Sequence, residues 1–417
     1  MIALYRVIRG VLTLLGMAGL VAMLGVVPVS ASGATSSAPL MQIPSVYTPV
    51  APVRLLDTWA SGTPLSANGS MNLTVSGIDG VSAIATAVVL NVTVTHTTAN
   101  SYLTIYPAGR TRPLASNLNW AAGQSVTNLT IIPTGAAGQV TLYNQSGSAD
   151  VVVDLDGYFA PQSGTSMAGS YVALAPKRIT DTRSGSGYPN AGKTLTSGSV
   201  LNVQVGGVGG VPSTGVGAVV VNVTVTNTTE AGYLTAYPDG ASRPFVSNLE
   251  WVAGQTVANR VIVPVGANGM VSLYNYTGDT NVVVDLSGYF TNSVMAPVGA
   301  SLYNPISPVR VLDTRKTGLE LEPDTFLAQG MTGVDGVATD ATTVVANVTA
   351  VDTTASSYLT VYPGGVTPVS SDLNWTAGEV VPNLVVARLA PDGVICFYNN
   401  SGDTNVVVDV FGYFTPA

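Results

Sequence analysis

The sequence predicts an all-β fold: three tandem β-sandwich domains, jelly-roll-like, behind an N-terminal signal peptide. Three observations lead there. One phrase closes three stretches of chain. It runs from Asn144 to Asp154 and Gly157-Tyr158-Phe159, from Asn275 to Asp285 and Gly288-Tyr289-Phe290, and from Asn399 to Asp409 and Gly412-Tyr413-Phe414. Short runs rich in Val, Thr and Tyr are punctuated by Gly, Pro and Asn at about 10-residue spacing, as in strands joined by turns. No stretch carries apolar residues at helical period between caps. A closed barrel is the alternative.

Residues 1–34 read as the signal peptide. Arg6 and Arg9 precede an apolar run that ends near Val29-Ser30-Ala31, where small residues suit a signal peptidase. The run is long enough that a retained anchor is the competing reading. A Ser/Pro-rich lead-in covers 35–46. The repeats then occupy 47–161, 171–292 and 302–417, joined by linkers at 162–170 and 293–301. Arg54, Arg178 and Arg310 lie about 124 and 132 residues apart. That period is too long for a solenoid and suits tandem domains.

Each copy carries the same landmarks in the same order. Arg-x-x-Asp opens it: Arg54 and Asp57, Arg178 and Asp181, Arg310 and Asp313. A strand ending in Gly-x-x-Gly-Val follows. Next comes an apolar strand such as Ala87 to Thr95, whose Val-rich start reads as central and whose Thr93 and Thr95 read as a wet face. Tyr102-Leu-Thr-Ile-Tyr106-Pro107 ends at a proline that closes a strand. Ser116-Asn-Leu-Asn-Trp120 and three further strands complete eight or nine per copy.

Composition narrows the function. Cleavage would remove Arg6 and Arg9, leaving 13 Lys+Arg against 23 Asp+Glu, a net charge of about −10. So acidic a surface, with lysine only at 177, 193 and 316, argues against nucleic acid or anionic membrane as partner. Cys396 is the single cysteine, so no intramolecular disulfide exists. His96 is the single histidine, which denies copies two and three a histidine base or a histidine-ligated metal. The Asp-Thr pairs are followed by Trp59, Arg183 or Arg315, not the Gly an aspartic-protease loop needs. No catalytic residues, cofactor or metal site are expected. The Asn/Gly turns offer oxygen ligands, but those residues supply the positive φ of hairpin turns.

Two sets of side chains stand out. Arg54, Asp57 and Asp154, with Arg178, Asp181, Asp285, Arg310, Asp313 and Asp409, recur in a chain with few charges. They are expected to form structural ion pairs joining the first and last strands of each copy. Trp120, Trp251 and Trp375 share one position. With Tyr102, Tyr233, Tyr358, Asn117, Asn248 and Asp372 they form a candidate sugar-stacking platform, unless the indoles cap the core. Trp59 sits alone in a Gly/Ser-rich stretch, reads as exposed, and is the further candidate ligand-binding residue that would set copy one apart.

The pattern Arg-Leu-Leu-Asp-Thr, Asn-Val-Thr-Val-Thr, Tyr-Leu-Thr-x-Tyr-Pro, Ser-Asn-Leu-Asn-Trp and Val-Val-Val-Asp-x-x-Gly-Tyr-Phe resembles a repeat of secreted and cell-surface actinobacterial proteins. The resemblance covers nearly the whole mature chain. It implies an exported, non-catalytic module and brings no ligand with it. Copy one departs from its Asp-Thr-Arg at Trp59. The expected role is multivalent binding of cell-wall or extracellular polysaccharide, through three weak sites on one chain. The alternatives are a scaffold or adhesin that binds another surface protein, and a hydrolase with an Asp-based site.

Overall fold

The computed structural model describes residues 40, 42–293 and 297–417, so the signal segment lies outside the described residues. Copy one contains β1 (Ser45–Asp57), β2 (Ser70–Thr74), β3 (Ala87–Thr95), β4 (Ser101–Pro107), β5 (Leu118–Trp120), β6 (Val126–Pro133), β7 (Gln139–Asn144) and β8 (Asp150–Pro161). Copy two repeats them as β9 (Tyr171–Asp181), β10 (Val200–Gln204), β11 (Val216–Thr226), β12 (Gly232–Pro238), β13 (Leu249–Trp251), β14 (Val257–Pro264), β15 (Met270–Asn275) and β16 (Asn281–Thr291). Copy three follows with β17 (Ala300–Asp313), β18 (Thr325–Gly330), β19 (Thr343–Val351), β20 (Ser357–Tyr362), β21 (Leu373–Trp375), β22 (Val381–Arg388), β23 (Val394–Asn399) and β24 (Asn405–Pro416).

Each copy is a sandwich of two four-stranded antiparallel sheets. In copy one the outer sheet runs β2-β7-β4-β5 and the inner sheet β6-β3-β8-β1. Apolar side chains of the two sheets meet between them, among them Val92, Leu103, Leu118, Leu142 and Val153. The Val-rich strands β3 and β8 are central to the inner sheet, which explains why they lack strict alternation.

The three inner sheets do not stop at the copy boundaries. Ser45 pairs with Tyr303, and Ser301 with Tyr171, so β1, β9 and β17 join them into one 12-stranded sheet. The N–H of Tyr47 donates to the carbonyl of Gly169 at 2.8 Å, tying the 162–170 connection to the same junction. Contacts run from copy one to two, two to three and three back to one. The chain is therefore a closed ring with pseudo-threefold symmetry.

Two sets of residues line the axis. The first is aromatic. Tyr47 meets Phe290 at 4.4 Å between ring centroids, Tyr171 meets Phe414 at 4.6 Å, and Tyr303 meets Phe159 at 4.3 Å. These six rings are buried. They account for the Gly-Tyr-Phe phrase. Each Phe enters the cluster, and each Gly lies under a tyrosine whose hydroxyl donates to the preceding carbonyl at 3.1 Å. A Cβ on Gly288 would stand 2.2 Å from Tyr171 Oη, so only glycine fits. Asp156, Ser287 and Phe411, just before these glycines, fall at shifts in strand register, where a bulge adds one residue.

The second set is amide. Asn91 donates to the carbonyl of Ser247 (2.5 Å), Asn222 to Ser371 (2.6 Å) and Asn347 to Ser116 (2.7 Å). Asn128, Asn259 and Asn383 accept from the backbone N–H groups of Leu384, Leu129 and Arg260, each at 3.0 Å. All six asparagines are buried, and each bond crosses between copies. Arg260 breaks the symmetry where copies one and three have Leu129 and Leu384. Its buried guanidinium donates to Ser287 Oγ, the Leu384 carbonyl and the carboxylate of Asp372.

Candidate functional site

The platform reading of the tryptophans is corrected by burial. Trp120, Trp251 and Trp375 are only 4%, 5% and 4% exposed. Their indole N–H groups donate to the carbonyls of Ala99, Glu230 and Ala355, each at 3.1 Å. They pack with Leu118, Leu249 and Leu373 in the cores, where one hydrogen bond satisfies the single polar atom. Asn117 and Asn248 are buried too, and accept from the N–H of Ile105 and Ala236. Asp372 accepts from Val361 N–H and pairs with Arg260, which explains why this copy carries a carboxylate there. Burial pushes Asp372 up while Arg260 opposes the shift. None of these six side chains is placed to stack on a ligand.

The arginines and aspartates meet across the first and last strands. Arg54 forks onto Asp154 at 2.9 and 3.1 Å, Arg178 onto Asp285 at 2.9 and 3.1 Å, and Arg310 onto Asp409 at 2.9 Å twice. Each arginine also lies 3.5–3.9 Å from the aspartate three residues on, Asp57, Asp181 or Asp313. The inner aspartates are buried, and burial pushes each up against the opposing pull of its arginine. The pairs also reach the neighbouring copy: Asp285 accepts from Ser371 N–H at 3.3 Å and Asp409 from Ser116 N–H at 3.1 Å.

That reach places each arginine in a cleft at a copy boundary. The cleft between copies three and one is lined by Arg310, Arg315, Arg112, Tyr102, Leu114 and Asn119 and holds 350 Å³. Between copies two and three, Arg178, Arg183, Tyr358, Val369 and Asn374 line 190 Å³. Between copies one and two, Arg54, Tyr233, Phe245 and Glu250 line 160 Å³. Tyr102, Tyr233 and Tyr358 thus face the arginine of another copy, a pairing that spacing within one copy conceals. Each cleft has an exposed apolar lip, Leu114 at 67%, Phe245 at 83% and Val369 at 68%. These lips follow prolines at one position in every copy, Pro113, Pro244 and Pro368. An apolar residue after proline in three matching loops was the signal in the sequence. A further cavity of 50 Å³ lies between Val126, Val257 and Val381, with room for little more than water.

Trp59 stands apart from the clefts. It is 65% exposed and tilts against His96, 5.1 Å between centroids. His96 Nδ1 lies 3.2 Å from Asp150 Oδ2. The Asn-rich turns close on themselves, since Asn144 donates to the carbonyls of Leu65, Ser66 and Gly147. Among the described residues no three His, Cys, Asp or Glu side chains gather as a metal site, and no helix is long and apolar enough to cross a membrane.

The site is that of an all-β protein in which three sandwiches close a ring around three related clefts. No protein-family model and no curated protein matches the chain. Among solved structures it is similar to an archaeal virus protein described as a triple jelly-roll fold, at 10% identity, 90% and 91% coverage and a TM-score of 0.19. It is also similar to the N-terminal CBM22-1-CBM22-2 tandem domain from Paenibacillus barcinonensis Xyn10C, at 13% identity, covering 63% of this chain and 100% of that one, with a TM-score of 0.16. At these scores neither likeness bears on function.

Proposed function

We propose that this is an exported, non-catalytic protein that binds cell-envelope or extracellular glycan at the clefts between its copies. The observation that carries the reading is the threefold recurrence of one cleft, built each time from an arginine of one copy and a tyrosine and apolar lip of the next. A guanidinium and a tyrosine hydroxyl suit sugar hydroxyls, and an apolar lip suits the C–H face of a sugar ring. Fixed spacing between three weak sites turns them into one useful affinity on a repeating polymer. The resemblance to repeats of secreted actinobacterial proteins supports the exported setting.

The second reading is a surface scaffold or adhesin that binds another protein. Burial of the three matched tryptophans favours it, since the most obvious stacking surface is absent. Both readings are tested by pull-down of residues 35–417 on peptidoglycan, chitin, cellulose and arabinogalactan, beside a Leu114→Ser, Phe245→Ser, Val369→Ser variant. The three lips are exposed, so the variant is expected to melt like the parent. Binding that is lost in the variant supports glycan recognition at the clefts. No binding by the parent to any of the four overturns it in favour of the scaffold.

A further inference from the structure

The three clefts share a plan but not a charge. Between copies three and one, Arg310 and Arg315 meet the carboxylates of Asp409 and Asp313, and Arg112 lines the same cleft. Between copies two and three, Arg178 and Arg183 face Asp285 and Asp181. Between copies one and two, Arg54 alone faces Asp154, Asp57 and Glu250. Trp59 holds the place of Arg183 and Arg315 in copy one, and turns to His96 instead.

From this asymmetry we propose that the cleft between copies three and one is an acidic-saccharide site, taking a sugar that carries a carboxylate, while the other two take neutral sugar units. The proposal rests on the glycan reading above. Three further facts support it. The hydrogen bonds of Arg310 to Asp409 use Nε and Nη2, and those of Arg315 to Asp313 use the same two atoms. Arg315 therefore keeps Nη1 for a ligand, while Nη1 of Arg310 lies 3.9 Å from Asp313, and guanidinium N–H groups suit carboxylate oxygens. Arg112 lies over the Tyr143 ring at 3.7 Å and lines this cleft, whereas its counterpart Arg243, over the Tyr274 ring at 4.0 Å, is not among the residues lining the cleft between copies one and two. At 350 Å³, this cleft alone of the three reaches the size of ordinary small-molecule sites.

The test is calorimetric titration of the mature protein with trigalacturonate, galactotriose and inorganic phosphate at low and moderate salt. Arg315→Gln and Arg112→Gln alter this cleft, and Arg183→Gln is the matched change in its neighbour. Arg315 and Arg183 are about half exposed but each forks onto a buried aspartate, so each variant is melted beside the parent before titration. Trigalacturonate is expected to bind more tightly than galactotriose and to weaken about tenfold in either Arg315→Gln or Arg112→Gln, the scale of one charge-assisted hydrogen bond. It should be unchanged in Arg183→Gln. Equal binding of the acidic and neutral trimers, indifferent to these changes, overturns the charge assignment and leaves the glycan reading standing. Phosphate binding as tight as trigalacturonate overturns it as a mere anion site. Failure of both sugars to bind overturns this proposal, and the loss of envelope pull-down then separately decides the broader reading.

Discussion

Asp156 is a buried carboxyl that the fold tolerates at a cost, and replacing it by serine should stabilise the protein. It occupies a bulge position beside the axis, where copy two has Ser287 and copy three has Phe411. Among the described residues its Oδ2 has no hydrogen-bond partner. Burial pushes the carboxyl well above the usual range, and nearby Asp154 adds to the shift. The sign follows from linkage. Below about pH 4 the group is protonated both folded and unfolded. As pH rises, the unfolded chain ionises while the folded chain holds its proton, so the stability contributed by this group falls. The slope reaches about 1.4 kcal/mol per pH unit until the folded carboxyl ionises. A serine has a partner ready, because Ser287 Oγ donates to the carbonyl of Val220 at 3.2 Å and Val89 is the matching residue. Relieving an unsatisfied buried acceptor is worth about 1–3 kcal/mol. Scanning calorimetry at pH 4, 5.5 and 7 should show Asp156→Ser melting above the parent at pH 7, with the gain shrinking towards pH 4. A variant less stable at pH 7, or a gain that ignores pH, would refute the reasoning.

Other changes test the axis. Gly288→Ala sets a methyl against Tyr171 and should destabilise by about 3 kcal/mol, the upper end for overpacking, read from urea melts. Asn259→Ala removes the acceptor of Leu129 N–H and two donor bonds to copy one and copy two, and should cost about 1–3 kcal/mol or more in the same assay. A loss near zero in Asn259→Ala would mean that the copies do not depend on one another, and one near zero in Gly288→Ala that the Tyr171 ring yields to a methyl.

The sandwich itself was legible because its signals are local. Turn residues, strand periodicity and a thrice-repeated phrase all act over a dozen residues. The ring was not, because closure is written in residues that look ordinary within one copy. Asn91 is one polar residue within an apolar strand, and only its burial and its bond to Ser247 reveal its part at the axis. Tyr47 lies at the very start of its repeat, where a lead-in had been the expectation for the residues just before it, yet it roofs Gly157 and meets Phe290. The tryptophans illustrate the reverse. A large amphipathic ring beside amides has two stable fates, and sequence spacing does not say which side of the sheet is dry. The clefts escaped for a third reason: Arg54 and Tyr233 lie far apart along the chain, and no repeat alignment puts one copy's arginine beside another's tyrosine.

Closure of the ring also governs how the molecule can come into being. Ser45 pairs with Tyr303, and Ser116 binds Asp409 across 293 positions of chain. Contacts that distant in sequence form late, since the intervening chain must first be present and then brought together. Copy one, made first, waits with Phe159, Asn128 and Ser116 unmatched until the last copy supplies Tyr303, Leu384 and Asp409. During that interval it presents raw sheet and aromatic surface to its surroundings, which favours misassembly. Completion of the third copy is then the event that converts three half-satisfied sandwiches into a native molecule, so a chain cut short within copy three leaves all the preceding length without its seal.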